Sequence, residues 1–332
     1  MVYLKGLIID KRVWLANNTT IVRKLLFFER NIMDNQLFTN NITLPDVNVP
    51  PMPAIASPGI IYNGKKAEGF TAIDQTIGHP DVRSFRRKFG LIIPATNTSM
   101  EHELWTIIGK NPEVLRGIGL HTSNVVTPKP KLETEADLMA YKEQFLNGVK
   151  AAVDVALLAQ PQYMIMGMSL EHIIEGLNNV RAPAREAEDY SGLAWSFWHD
   201  AANKALNKFG AKRIGIISPF DKTGSAYAAK MFEDLGFTVV ANIGFSCANA
   251  VHIAHIPDSA KEEAILNFLA TKENKLDAIV QCGTNMSMSQ VAHKLEPVIN
   301  IPILGINAVL LWHALRQTGI SDPFVGAGQI GL

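Results

Sequence analysis

The chain has 332 residues, 47% of them hydrophobic and 19% charged, a balance that excludes wholesale disorder and allows a sizeable core in one or two domains. Lys and Arg number 31 and Asp and Glu number 31, so no net field exists to hold a polyanion, and nucleic acid is excluded as the main partner. With only two cysteines, Cys247 and Cys282, a disulfide-built secreted scaffold is excluded and a reducing cytoplasm is the expected compartment.

The apolar runs are of strand length or are broken by charge, short of the ~18 residues that a membrane span needs, so no membrane partner is expected. Residues 1–88 differ from the rest. Short apolar patches such as Leu7–Ile9 and Leu25–Phe28 are interrupted by Asp10, Lys11, Arg12, Arg23 and Lys24, which is not the pattern of a signal peptide. Asparagines crowd the stretch, and Pro45 to Pro53 reads as an extended, polyproline-prone linker. This segment is expected to be a peripheral, partly disordered extension or an arm in a homo-oligomer, and Met33 offers an alternative start.

From Phe89 the pattern changes. Phe89–Ile93 is a short apolar run ending at Pro94, as in a buried parallel strand. Leu138, Tyr141, Phe145, Val149, Val153 and Leu157 recur at helical spacing between Glu135 and Leu158. Gln162–Met166 is the next strand, stopped by Gly167. A helix over Leu193–Phe209 precedes a strand at Arg213–Ile217. Ser225–Leu235 reads as a helix, Thr238–Ala241 as a strand and Ser259–Leu269 as a helix. Asp277–Val280 is a strand that runs into Cys282. A helix over Ser289–Leu295, a strand over Ile303–Ile306 and a helix over Val309–Gln317 close the chain. Strands alternating with helices define an α/β protein with parallel sheets.

The pattern repeats. Gly90-Leu-Ile-Ile-Pro94 matches Gly215-Ile-Ile-Ser-Pro219, and Tyr163-Met-Ile-Met-Gly167 matches Ala278-Ile-Val-Gln-Cys282. Two similar α/β halves are expected, residues 89–192 (joined by the C-terminal segment 305–332) and residues 193–304. Between their strand C-termini lies a cleft, where open parallel sheets place ligands.

Cys282 follows an apolar strand and precedes Gly283, Thr284 and Asn285. It is either a thiol beside N–H groups that a turn aims at an anion, or a small buried hydrophobe. Cys247 has no such setting and reads as filler. Gly167-Met168-Ser169 is the matching loop of the first half, where Ser169 could donate to a carboxylate and the glycine permits a sharp turn. Asn97, Thr98 and Ser99 either hold a carboxylate or cap the helix that starts near Met100. The nine histidines show no metal spacing, and there is no GxGxxG, P-loop or GxSxG element, so neither a metal nor a nucleotide cofactor is expected.

Four segments in this order resemble the aspartate/glutamate racemase superfamily, and among its branches arylmalonate decarboxylase and maleate cis–trans isomerase. They are Gly90 to Glu101, Met166-Gly-Met-Ser-Leu170, Ile214 to Phe220, and Val280-Gln-Cys-Gly283 with its continuation through Pro302 to Trp312. The resemblance covers roughly residues 89–320. It implies two Rossmann-like halves about a pseudo-two-fold axis, no cofactor, and an active site in the cleft between them. It places the second-half cysteine at Cys282, with Gly283 beside it, and puts Gly167 where racemases carry a first cysteine, the arrangement of the decarboxylase branch. It gives Asn97, Thr98 and Asn249 to the binding of a substrate carboxylate, as in the isomerases and racemases, and Ser169 to the carboxylate that gains charge in the decarboxylase reaction. Phe220 and Met168 stand where the relatives carry a tyrosine and a threonine. The implied activity is a cofactor-independent decarboxylase of a substituted malonate, through an enediolate protonated by Cys282. A maleate isomerase or racemase, and a non-catalytic binder of a small diacid, are the alternatives.

Overall fold

The computed structural model describes residues 61–62, 65–66, 81–126 and 135–332, all within one compact unit, Val47–Leu332. Met33 and the linker Pro45–Pro53 lie outside the described residues. Strands β1 (Ile61–Tyr62) and β2 (Lys65–Lys66) pair antiparallel.

The first sheet is built from β3 (Arg87–Pro94), β4 (Ile118–Val125), β5 (Tyr163–Met166) and β6 (Trp195–Ser196), in the order β4-β3-β5-β6. Helices α1 (Met100–Gly109), α2 (Glu135–Leu157) and α3 (Leu177–Ser191) connect its strands. Helix α4 (Trp198–Lys208) leads to the second sheet: β7 (Arg213–Ser218), α5 (Lys222–Asp234), β8 (Thr238–Gly244), α6 (Asp258–Ala264, extended by a π turn over Ile265–Leu269), β9 (Ala278–Gln281), α7 (Ser289–Ile299) and β10 (Ile303–Gly305). Its order is β8-β7-β9-β10. Every pairing in both sheets is parallel.

The two sheets have the same topology. In each, the first strand is central, the second lies on one side of it and the third on the other, with the fourth beyond. The repeat seen in the sequence is therefore a repeat of fold. The central strands are buried without a break over Phe89–Ile93 and Ile214–Ser218, which is why they read as continuous apolar runs rather than alternating ones. Helix α8 (Ile306–Gln317) follows the last strand of the second sheet but packs against α4 and α1 and against β5 and β6 of the first. All ten residues from Ile306 to Leu315 are buried.

Three elements depart from the sequence reading. Trp195–Ser196, expected inside a helix, is an edge strand beside β5, and the helix begins at Trp198. Strand β4 was not expected, because its polar middle, His121-Thr-Ser-Asn124, breaks the apolar run; it is half exposed there. Helix α3 was not expected either. It carries Pro183 and a polar sequence, and buries only Leu177, Val180, Ala184 and Ala187. Among the described residues no helix is long and apolar enough to cross a membrane.

Candidate active site

Gly167 and Cys282 hold equivalent places. Each is the first residue after the third strand of its sheet. Gly167 donates its N–H to Ile92 O at 2.7 Å, and Cys282 donates its N–H to Ile217 O at 3.0 Å, so the same bond to the central strand fixes both turns. The turns then diverge. Gly283 has φ +92°, and a Cβ there would lie 2.6 Å from the Pro219 ring. Only glycine combines that backbone with that approach. Gly167 has an ordinary φ but no space. A Cβ on it would meet Ile93 Cγ2 at 2.6 Å, Met100 Sδ at 2.7 Å and Ile92 O at 2.8 Å.

A polar seam joins the two turns. Gly283 N–H donates to Ser169 Oγ at 3.0 Å, and Thr284 Oγ1 donates to Gly167 O at 2.9 Å. Asn97 Nδ2 donates to Thr284 Oγ1 at 2.9 Å. Asn285 Oδ1 accepts from Thr98 N at 3.0 Å and Ser99 N at 3.2 Å, while its Nδ2 donates to Thr96 O and Ala250 O. Below the seam, Glu103 Oε1 accepts from Met288 N and Ser289 N at the start of α7, and Glu103 Oε2 accepts from Asn307 Nδ2 at 2.7 Å. The side chains of Asn97, Glu103, Ser169, Thr284, Asn285 and Asn307 are buried, and each neutral bond they make is worth ~1 kcal/mol net but costs more if one partner is removed.

The Cys282 thiol is fully buried. Burial first, then the negative charge of Glu171, raise it well above the ordinary thiol value, so it is neutral. Beside it lie the Trp198 indole and the Glu171 carboxyl group. Glu171 is 1% exposed, and its Oε1 has no hydrogen-bond partner. Its carboxyl group faces the Ser169 hydroxyl, the Cys282 thiol and the Leu170 and Glu171 N–H groups, but burial outweighs these and pushes it up to about 7. The next residue, His172, stacks on Phe220, with ring centroids 4.5 Å apart and planes 9° apart. Desolvation pushes its imidazole down to about 4, so it too is neutral.

The site residues expected from sequence fall into three groups. Cys282, Gly283, Ser169 and Gly167 meet at the seam. Asn97 and Thr98 join it through Thr284 and Asn285, but Asn97 Oδ1 is occupied at the start of α1, accepting from Ser99 N and Met100 N at 3.0 Å each. The N-cap residue of α1, Ser99, makes no side-chain cap bond of its own. Phe220 shares the core that contains Cys282, whereas Met168 packs in the first-half core with Ile92, Val125 and Phe197. Asn249 is exposed, and its Oδ1 accepts from Val251 N and His252 N in its own turn. The N–H groups of Cys282 and Gly283, expected to meet an anion, are both committed, to Ile217 O and Ser169 Oγ. Sequence reasoning passed over Glu171, Glu103 and Asn307. For Glu171 a signal was present: a carboxylate four residues after the strand end that matches Cys282.

Among the described residues, no group of three His, Cys, Asp or Glu side chains is placed to hold a metal ion. No protein-family model matches the chain. Over 250 residues it is 21% identical to maleate isomerase of Nocardia farcinica (strain IFM 10152), a match that spans 74% of this chain and 95% of that one. The maleate isomerase Iso of Pseudomonas putida S16 superposes with a TM-score of 0.62 at 16% identity, over 74% of this chain and 97% of that one. Arylmalonate decarboxylase superposes with a TM-score of 0.57 at 12% identity, over 73% and 98%. Two four-stranded parallel sheets of one topology, meeting at a Gly167 turn and a Cys282 turn, thus give this chain the fold found in maleate isomerases and arylmalonate decarboxylases.

Proposed function

We propose that the chain is a cofactor-independent lyase that removes CO₂ from a small substituted malonate and protonates the resulting enediolate from Cys282. One observation carries this reading: a single neutral thiol stands at the end of β9, and the matching position at the end of β5 is a glycine with no room for a side chain. A neutral thiol is a proton donor. A lone one delivers its proton to one face of a planar intermediate, which gives one stereoisomer.

Loss of CO₂ leaves an electron pair shared between the α-carbon and the retained carboxylate, and charge grows on that carboxylate in the transition state. Fixed donors that meet it lower the barrier, by ~3 kcal/mol for each well-placed one. Ser169 is suited to this role. Its Oγ accepts from Gly283 N–H, and its proton, which faces the Glu171 carboxyl group, can turn to a substrate oxygen. The apolar wall made by Phe220 and its core neighbours disfavours the charge of the leaving carboxylate, so the ionised group gains by departing as neutral CO₂.

A second reading, maleate cis–trans isomerisation, has support of its own. The relative found by sequence is a maleate isomerase, and a cysteine-to-serine mutant of the Nocardia farcinica enzyme has been captured with a covalently bound succinylcysteine intermediate. That chemistry needs a thiolate to add to the double bond. A thiol raised by burial and by a neighbouring carboxylate is poorly prepared for it.

Proton NMR in D₂O separates the two readings. Purified protein and Cys282→Ser are incubated with phenylmalonate, methylmalonate, maleate, aspartate and glutamate. The lyase reading expects loss of a malonate with one deuterium appearing at its α-carbon, absent in the variant. Conversion of maleate to fumarate would replace it with the isomerase. Line broadening by a diacid in both proteins without turnover would leave a binding protein.

A further inference from the structure

We propose that Glu171 is the proton relay of Cys282, its carboxyl group returning a proton to the sulfur after each delivery to substrate. The inference deepens the lyase reading and rests on it for the identity of the proton's destination. Three geometric observations carry it. Glu171 and Cys282 come from different halves of the fold yet face each other in a region closed to solvent. Glu171 Oε1 has no hydrogen-bond partner, an arrangement that is costly unless the group has work that needs a free oxygen. Among the described residues no Lys or Arg side chain pairs with it, so it is not half of a structural ion pair.

The surroundings suit a relay. From the β9 turn comes Cys282, and from α4 the Trp198 indole, whose Nε1 lies beside the sulfur and has no oxygen partner. On the same loop are Ser169, which faces the carboxyl group, and His172, which is neutral. From the α5 N-terminus, Asp221 acts on His172. Cys282 and His172 are therefore the ionisable neighbours, and neither is charged near neutrality.

The step balances as follows. The S–H bond of Cys282 breaks as a C–H bond forms at the α-carbon of the enediolate, leaving a thiolate and a neutral product carbon. The O–H bond of protonated Glu171 then breaks as S–H re-forms, leaving a carboxylate. Glu171 is recharged by a proton from solvent. The sum is one dicarboxylate and one proton converted to one monocarboxylate and CO₂.

The test uses two readouts, one independent of turnover. Protein with Cys247→Ser and carbon-13 at the cysteine Cβ gives a single NMR probe of the Cys282 sulfur. In this protein the Cβ shift is expected to step as Glu171 ionises near pH 7. Glu171→Gln should abolish that step and move thiol ionisation to lower pH, while Glu171→Asp should keep a displaced step. For turnover of a malonate, kcat should fall on the alkaline side of the same pH, and Glu171→Gln should lower kcat by on the order of 100-fold and remove the limb. Glu171→Asp should restore part of the rate. An unchanged step in Glu171→Gln, or the absence of a step in the parent protein, overturns the relay. Turnover that keeps its alkaline limb in Glu171→Gln overturns it while the lyase reading survives. A step that depends on Glu171 with no turnover of any malonate overturns the lyase reading while the coupled pair survives. Should Glu171→Gln fail to fold, the parent and Glu171→Asp titrations decide the matter.

Discussion

The turn after β5 and the turn after β9 begin alike. Each opens with an N–H bond to the central strand of its own sheet, and each leads into a loop that crosses to the other half. The β9 turn keeps a side chain at its first position, the buried thiol of Cys282. The β5 turn has none there, because Ile93, Met100 and the Ile92 carbonyl fill the volume. Its ionisable group appears four residues later, as Glu171, and reaches the same sulfur from the other side. A duplicated fold thus need not place the same chemistry twice. Once one half is packed shut at the cleft, a proton-bearing group can come from the loop instead of the strand end.

The largest expected effect is on the β9 side. Cys282→Ser should lower turnover by roughly two to four orders of magnitude, since serine is a far weaker acid, while the small change in volume leaves the fold intact. Circular dichroism and the NMR assay together check this. Activity retained in that variant would move the proton donor elsewhere and undo the comparison.

The β5 side answers with stability. Gly167→Cys places a Cβ within 2.8 Å of a backbone oxygen that cannot retreat without bending β3. The expected cost is about 1–3 kcal/mol, read as a lower denaturant midpoint with little change in slope. No two-thiol racemase should result. A stable Gly167→Cys protein that racemises an α-substituted acid would show that the glycine is a choice of chemistry and not of packing.

Acidity links the two turns. Glu171 rises from the ordinary value of 4.5 to about 7 on folding. Between those values the folded chain holds a proton that the unfolded chain has released. The stability that goes with the neutral form is therefore full below pH ~4.5 and is lost as the pH rises through about 7, on the order of 3 kcal/mol across the window. Denaturation of Glu171→Gln should lack this fall, and the variant should be the more stable protein at about pH 8. An equal slope in both proteins would place the pH dependence on other groups.

The fold was legible because its central strands are buried on both faces, and β3, β5, β7 and β9 read as apolar runs without any partner in view. The seam was legible only in part. Cys282, Gly283 and Ser169 stand in short, recognisable loops. Thr284 and Asn285 were visible in sequence but gained their roles only from residues far away, Gly167 and Thr96 among them, and such pairings have no local signature. Glu171 was missed for a similar reason, since an acidic residue in a loop is ordinarily solvated. What makes it unusual is burial by the other half of the molecule. Trp195–Ser196 misled in the opposite direction, because a buried aromatic beside a serine suits a helix start as well as an edge strand.

The smallest effect tests the symmetry at the helix starts. In each half a short polar side chain accepts from N–H groups at the start of the helix after the central strand: the N-cap Asp221 at α5, and Asn97, two residues before the N-cap Ser99, at α1. Asn97 Oδ1 accepts from Ser99 N and Met100 N at α1, and Asp221 Oδ1 accepts from Gly224 N at 2.8 Å at α5. Asp221→Ala removes a cap and should cost ~1 kcal/mol. Asn97→Ala removes the Oδ1 bonds to the first N–H groups of α1, comparable in worth to a cap, and also the Nδ2 bond to Thr284 Oγ1 across the seam. It should cost ~2 kcal/mol, because Thr284 is buried and a lost neutral hydrogen bond there adds about as much as the cap. The pair Asn97→Ala and Thr284→Val then forms a double-mutant cycle in which the coupling should approach 1 kcal/mol, whereas Asp221→Ala with Thr284→Val should be additive. Coupling in the second cycle, or additivity in the first, would mean that the two helix starts are equivalent after all and that the seam draws nothing from Asn97.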